Sequence, residues 1–227
     1  HIKAVQVASE ADSSVNEMRR DLLEACLAAA EGPAGLYTLT APTGSGKTLS
    51  MLAFALKHAA SHGLRRVVYV APYLTILEQT VEVFRRALAA AFPEVSPQAY
   101  VLEDHSLARV GEAAERKAAV GDEEGLGRLL AENWDAPVIV TTSVQFFESL
   151  FASRPRQCRK LHRLAKSVIL CDEVQTFPTN LIEPTLAALS RLAQRYGCTV
   201  VFATATQPAF HHLDERVKRY FAAGWRP

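Results

Sequence analysis

The chain predicts an α/β fold in three layers, a mostly parallel sheet with helices on both faces, and three observations carry that expectation. Six short, β-rich apolar runs recur along the 227 residues with helix-length segments between most of them, the pattern of a parallel sheet buried on both sides. A glycine-rich stretch, "APTGSGKT" at 41–48, stands between the first run and a helical segment. Two adjacent acids, Asp172 and Glu173, close another run, at the kind of strand end where open α/β sheets bind ligands.

The runs are 36–40 "LYTLT", 66–71 "RVVYVA", 99–102 "AYVL", 137–142 "PVIVTT", 167–171 "SVILC" and 198–203 "CTVVFA". Most are continuously apolar, as strands covered on both faces should be. Helices are expected at 15–31, stopped by Gly32-Pro33, at 47–61 after the glycine-rich loop, at 73–91, which is amphipathic, and at 181–196, which ends at Gly197. The connection from 103 to 135 breaks the alternation, being charged and carrying Gly at 111, 121, 125 and 127. A structureless loop of about thirty residues is uncommon in a compact domain, so an inserted helix or two with a mobile joint near 121–127 is expected. The chain reads as one domain over residues 1–227, without internal repeats or low-complexity tracts.

Composition excludes several classes of function. With 25 Lys and Arg against 24 Asp and Glu, the formal charge of +1 supplies no basic field that would advertise a nucleic-acid partner. Cys26, Cys158, Cys171 and Cys198 form no C-x-x-C pair, so neither a zinc site nor a disulfide framework is expected, and Cys171 reads as a small buried hydrophobe. This cysteine usage fits a reducing cytoplasm. No apolar run approaches the roughly 18 residues of a membrane span, and a soluble protein without a membrane partner is expected. The missing initiator Met at His1 points to a piece of something longer.

In "APTGSGKT", Gly44 and Gly46 permit backbone conformations closed to other residues, so successive N–H groups can converge on phosphate oxygens. Thr43, Gly44, Ser45 and Gly46 would cradle the phosphates, Lys47 would meet the β- and γ-phosphates, and the Thr48 hydroxyl would ligate Mg2+. A helix starting near Lys47 adds its N-terminal partial positive charge. The usual pattern G-x-x-x-x-G-K-[ST] begins with Gly, and here that place is Ala41. Asp172 can hold Mg2+ through water, while Glu173 can orient or deprotonate an attacking water. After the last run come Thr204 and Thr206 of "TAT", hydroxyls at another strand end.

With "APTGSGKT", "DEVQ" and "TAT" in this order, the chain resembles the first RecA-like domain of a superfamily 2 helicase, a phosphate-loop NTPase fold, these segments matching motifs I, II and III. "VAPYLTILEQT" at 70–80 resembles motif Ia and "VIVTTSVQFFESL" at 138–150 resembles motif Ib, both of which touch the nucleic-acid backbone in that superfamily. More narrowly, "LCDEVQTFP", "FATATQP" and "VLEDHS" at 101–106 resemble the CRISPR-associated helicase-nuclease of type I systems, over about residues 14–210.

The resemblance implies an ATP-binding and hydrolysing motor half that acts in antiviral interference on single-stranded DNA. It implies ATP and Mg2+ as cofactors. As partners it implies a second RecA-like domain and an HD nuclease domain of the parent enzyme, and a crRNA-guided surveillance complex. Lys47, Asp172 and Glu173 would carry hydrolysis, and Gln175, Thr204 and Thr206 would couple it to DNA. Pro72, Thr141, Thr142 and Ser143 would contact the nucleic acid, and Asn16 and Arg20 would lie on the adenine side. No His-Asp pair occurs in the sequence, so the HD nuclease signature is absent from it. His105, His211 and His212 read as surface or capping residues rather than metal ligands, and Trp134, Phe146, Phe147 and Phe151 as core. A non-catalytic docking module and an unrelated RNA or DNA translocase domain remain open as other functions.

Overall fold

A computed structural model describes residues 13–105, 134–152, 160–205 and 225–226. The order of elements is α1 (Ser13–Ala29), β1 (Leu36–Thr40), α2 (Lys47–His62), β2 (Arg66–Ala71), α3 (Leu74–Ala89), a short α4 (Pro97–Tyr100) and β3 (Val101–Asp104). There follow β4 (Val138–Thr142), α5 (Ser143–Leu150), β5 (Ser167–Cys171), a 3-10 turn at Val174–Thr176, α6 (Thr179–Tyr196), β6 (Thr199–Thr204) and β7 (Trp225–Arg226). The strands form one sheet in the order β3-β4-β2-β5-β6-β1-β7, and every pairing in it is parallel.

Strand alternation divides the core in two, which is why the strands read as continuously apolar. Tyr37, Val67, Tyr69, Val138, Val140, Val168, Leu170 and Val201 face one side, against Cys26 of α1, Met51 and Phe54 of α2 and Leu77 and Phe84 of α3. Leu36, Val68, Val70, Ile139, Ile169, Cys171, Val200 and Phe202 face the other, against Phe146 and Phe147 of α5 and Leu186 and Leu189 of α6. The three-layer expectation therefore holds. Helices α2 and α6 stop at Gly63 (φ 63°) and Gly197 (φ 62°), left-handed positions where a side chain would be strained.

The sequence misplaces the third strand. Ser96-Pro97 opens one helical turn that takes up Ala99 and Tyr100, and the strand runs on through Glu103 and Asp104. Asp104 stays in the sheet because its charge is matched inside the fold: Trp134 Nε1 donates to Oδ2 at 2.8 Å and Lys160 pairs with the same oxygen. Trp134 is core as expected, with the Lys160 ammonium 5.1 Å from its ring centroid. His105 is buried rather than superficial, its Nε2 lying 2.9 Å from Glu103. Phe151 departs from the core reading: it stacks on Phe147 but is 42% exposed. Of the connection at 103–135 where inserted helices and a joint near 121–127 are expected, residues 106–133 lie outside the described residues, as do Cys158, His211 and His212.

Candidate active site

Topology gathers what sequence separates. Strand β6 lies between β5 and β1, so the loop after β1, the acids after β5 and Thr204 at the end of β6 share one carboxyl edge. Across 126 residues of chain, Lys47 Nζ comes to 2.6 Å from Glu173 Oε1, and it lies 2.9 Å from Asp172 Oδ1.

The loop has the backbone of a phosphate cradle. Gly44 (φ 80°) and Gly46 (φ 78°) are both left-handed, and Gly46 caps α2, aiming the helix N-terminus at the loop. Ala41, in the place of the usual first glycine, is absent from the positive-φ positions, is buried, and donates its N–H to the Thr204 carbonyl at 3.1 Å. No glycine is needed there. Ser45 Oγ is buried with no hydrogen-bond partner, an orphaned group that a phosphate oxygen would satisfy. Together with the Lys47 ammonium and the Thr48 hydroxyl, this donor set fits a triphosphate with a divalent cation.

Asp172 and Glu173 divide the turn after β5 between them. Asp172 is almost fully buried; Oδ1 accepts the Glu173 N–H at 2.9 Å, and Oδ2 accepts the Tyr69 phenol at 2.5 Å. Burial and the Asp172 charge push the Tyr69 phenol well above its ordinary range, so it remains a donor. Glu173 itself adopts φ 47°, ψ 51°, a left-handed conformation costing a non-glycine residue about 1–2 kcal/mol. It is held there by the bond to Asp172 on one side and by Thr176 on the other, whose N–H and hydroxyl both donate to the Glu173 carbonyl.

Glu173 is the hub of a polar chain. Gln175 Nε2 donates to Glu173 Oε2 at 2.6 Å, and Gln175 Oε1 accepts from the Thr204 hydroxyl at 2.6 Å. The Ala205 N–H also reaches Oε2, at 3.4 Å. Burial alone would raise the Glu173 pKa; hydrogen bonds from Lys47 and Gln175, the Lys47 charge and the Ala205 amide outweigh it, holding the carboxyl below its usual range. Loop, acid turn and β6 end are thus one hydrogen-bonded unit.

The other sequence-selected residues are placed more variously. Thr43 is exposed on the loop and Pro72 half-buried after β2. Thr141 is turned inward: it is fully buried and its hydroxyl donates to the Asp104 carbonyl at 2.9 Å, so the expectation of a nucleic-acid contact fails for that hydroxyl. Thr142 caps α5 by accepting from the Gln145 N–H, and Ser143 is half-buried beside it. Asn16 is half-buried in the first turns of α1. Arg20 is 60% exposed and pairs with Glu17. Its neighbour Arg19, which the sequence reading did not select, reaches the phosphate loop, its Nε donating to the Gly44 carbonyl at 3.1 Å. Helical phase turns one of two adjacent arginines to the loop, and the residue types alone carry no sign of which. Thr206 lies outside the described residues.

Residues 18–213 match the DEAD/DEAH box helicase family. A curated relative, the CRISPR-associated nuclease/helicase Cas3 of Haloferax volcanii, is 35% identical over 181 residues, covering 76% of this chain but 19% of the relative. The chain therefore spans only a small part of that relative's length. Among solved structures, T. fusca Cas3 with ADP superposes with a TM-score of 0.60 at 21% identity, covering 92% of this chain and 24% of the other. The Pyrococcus furiosus Hef helicase domain gives 0.54 at 18% identity, covering 90% of this chain and 36% of the other. MrfA bound to DNA gives 0.55 at 13% identity, covering 95% of this chain and 29% of the other. These likenesses establish the RecA-like fold. Joined to the match over residues 18–213, they make the chain a member of the DEAD/DEAH box helicase family, whose enzymes are ATP-dependent helicases.

Proposed function

We propose that the chain is the ATP-binding half of a superfamily 2 DNA helicase or translocase motor, working within a longer enzyme similar to the CRISPR-associated nuclease/helicase. The observation that carries this reading is the meeting of Lys47, Asp172, Glu173, Gln175 and Thr204 in one connected cluster at the carboxyl edge of the sheet. The sequence relative at 35% identity supports the narrower assignment to CRISPR interference.

Bound ATP with Mg2+ would supply the phosphoanhydride bond and the charge that neutralises its oxygens. Within the chain, Ser45 and the glycine-bounded amides would receive phosphate, Thr48 and Asp172 would hold the cation, and Glu173 would orient the attacking water or take its proton. Lys47 must leave at least one of its carboxylates to reach a phosphate. Leaving Glu173 removes a hydrogen bond and a charge that hold its pKa down, which makes Glu173 a stronger base when one is needed. Gln175 and Thr204 would relay the state of Glu173 to β6 and the DNA-facing edge. Single-stranded DNA, a second RecA-like domain, an HD nuclease domain and a crRNA-guided surveillance complex are the partners this reading implies.

Calorimetry with ADP or ATP and Mg2+, together with phosphate release from the 227-residue chain, tests the reading. Binding is expected, and Lys47→Ala should abolish it at micromolar protein. Turnover should be slow, because a transition-state arginine from the second RecA-like domain would supply about 10³- to 10⁵-fold in rate. Unchanged nucleotide affinity in Lys47→Ala would overturn the site assignment, and fast DNA-stimulated turnover by the chain alone would overturn the incomplete-motor reading.

A further inference from the structure

The acid turn and the phosphate loop are joined a second time, from inside the sheet. Tyr69 is fully buried in β2, with aliphatic neighbours on both sides along the strand. Its ring packs edge-on against Phe84 of α3, centroids 5.5 Å apart. Strands β2 and β5 run in register with Val70 opposite Cys171, which brings Asp172, the residue just after β5, to the phenol.

The hydrogen bonds around this phenol have a forced direction. The carboxylate of Asp172 only accepts, so the single phenolic proton goes to its Oδ2, at 2.5 Å. The hydroxyls of Thr80 on α3 and Thr48 on α2 lie beside the phenol and temper the rise of its pKa. The other oxygen of Asp172 is fixed by Lys47 Nζ at 2.9 Å and by the Glu173 N–H at 2.9 Å.

We propose that Tyr69 is a positioning residue for the cation of the nucleotide site, a phenol that sets the carboxylate plane of Asp172. The inference rests on the reading above that Asp172 holds Mg2+. A carboxylate gripped through one oxygen swivels about its Cβ–Cγ bond, whereas one gripped through both does not. Groups that orient metal ligands typically govern about 10- to 100-fold of metal affinity.

Tyr69→Phe keeps the ring against Phe84 and deletes only the hydroxyl. ADP binding to the 227-residue chain is measured by calorimetry over a series of Mg2+ concentrations and in EDTA, with thermal melting as the check on folding. The Mg2+ concentration for half-maximal enhancement of ADP binding should rise about 10-fold or more in Tyr69→Phe, while affinity in EDTA stays within about twofold. Thr80→Val, beside the phenol and touching neither assigned ligand, should shift it in the same direction by less than about 10-fold, and is the deciding variant should Tyr69→Phe fail to fold. A merely structural tyrosine would lower the melting temperature and leave the Mg2+ dependence where it was. An unchanged half-point in folded Tyr69→Phe, or in Thr80→Val in its place, overturns the inference. A wild-type chain that binds ADP without any Mg2+ dependence is a separate result; it removes the assignment of Thr48 and Asp172 and this inference with it.

Discussion

Glu173 concentrates the physical tension of the site in one side chain. It sits in a left-handed backbone conformation, partly buried, and is kept ionised by Lys47, Gln175 and the Ala205 amide. A folded-state pKa below the unfolded value means that the carboxylate contributes stability above about pH 4.5, the ordinary glutamate value, and that this contribution is lost as pH falls through the lower folded value. Glu173→Gln should therefore be less stable than wild type at pH 7 by about 1–3 kcal/mol, the range for a hydrogen bond to a charged group. The difference should begin to close as pH drops below 4.5 and vanish below the lower folded value, where folded wild type too is neutral. Urea midpoints of both proteins from pH 7 to 3.5 give the answer; a gap that persists unchanged to the acid end would show that the charge of Glu173 is not what stabilises it. In the same variant ADP should still bind, since Lys47 keeps Asp172 as a partner.

At the level of elements, strands buried on both faces were legible because their apolar runs are continuous, and the loop and acid turn were legible because they punctuate such runs. Long-range polar partners were not. Asp104 belongs in a strand only because Trp134 and Lys160 meet it; Thr141 is turned away from the carboxyl edge because Asp104 offers a carbonyl. Tyr69 hides in "RVVYVA", where its one polar atom is the sole signal. His58 is another such case, a histidine on the buried face of α2 that fastens three elements. Its Nδ1 lies 2.9 Å from the carbonyl of Ala30, just past the end of α1, and its Nε2 lies 2.8 Å from the Thr199 hydroxyl at the start of β6. The Ala30 carbonyl only accepts, so Nδ1 carries the proton of the neutral ring and Nε2 accepts from the Thr199 hydroxyl, whose oxygen also takes the Gly35 N–H at 3.4 Å. Burial lowers the His58 pKa below the ordinary 6.5, with the neighbouring His62 adding to the effect and the Ala30 bond opposing it. The unfolded chain then binds a proton that the folded chain refuses, so stability is complete above about pH 6.5 and falls as pH drops from there toward the folded pKa. The steepest decline one group can impose is about 1.4 kcal/mol per pH unit. His58→Gln should be less stable at pH 8 and show a flatter midpoint between pH 7 and 5; a slope equal to wild type would assign the acid sensitivity elsewhere.

At the scale of the whole molecule, the sheet order makes a site out of distant sequence. Residues of β1, β5 and β6 meet because β6 enters between the other two, and β2 and β4, side by side beyond β5, carry the segments that resemble nucleic-acid motifs to the same edge. Nothing in the composition reinforces that edge: the formal charge of the chain is +1. Affinity for a nucleic-acid backbone then depends on helix N-termini and hydroxyl groups rather than on a field of cations, and few counterions are released on binding. Single-stranded DNA should accordingly bind the 227-residue chain weakly, with a shallow dependence of log K on log salt, the slope corresponding to about 0.7 per phosphate neutralised. The inward hydroxyl of Thr141 divides the residues of this edge. Thr141→Val should leave DNA affinity unchanged while reducing stability, because the Asp104 carbonyl loses its donor. Ser143→Ala, at the start of α5, should weaken DNA binding without affecting ADP. Fluorescence anisotropy with an oligonucleotide across a salt series distinguishes the cases. Tight binding at high salt, or equal losses at Thr141 and Ser143, would mean that the DNA follows a different path across the sheet from the one motifs Ia and Ib mark out.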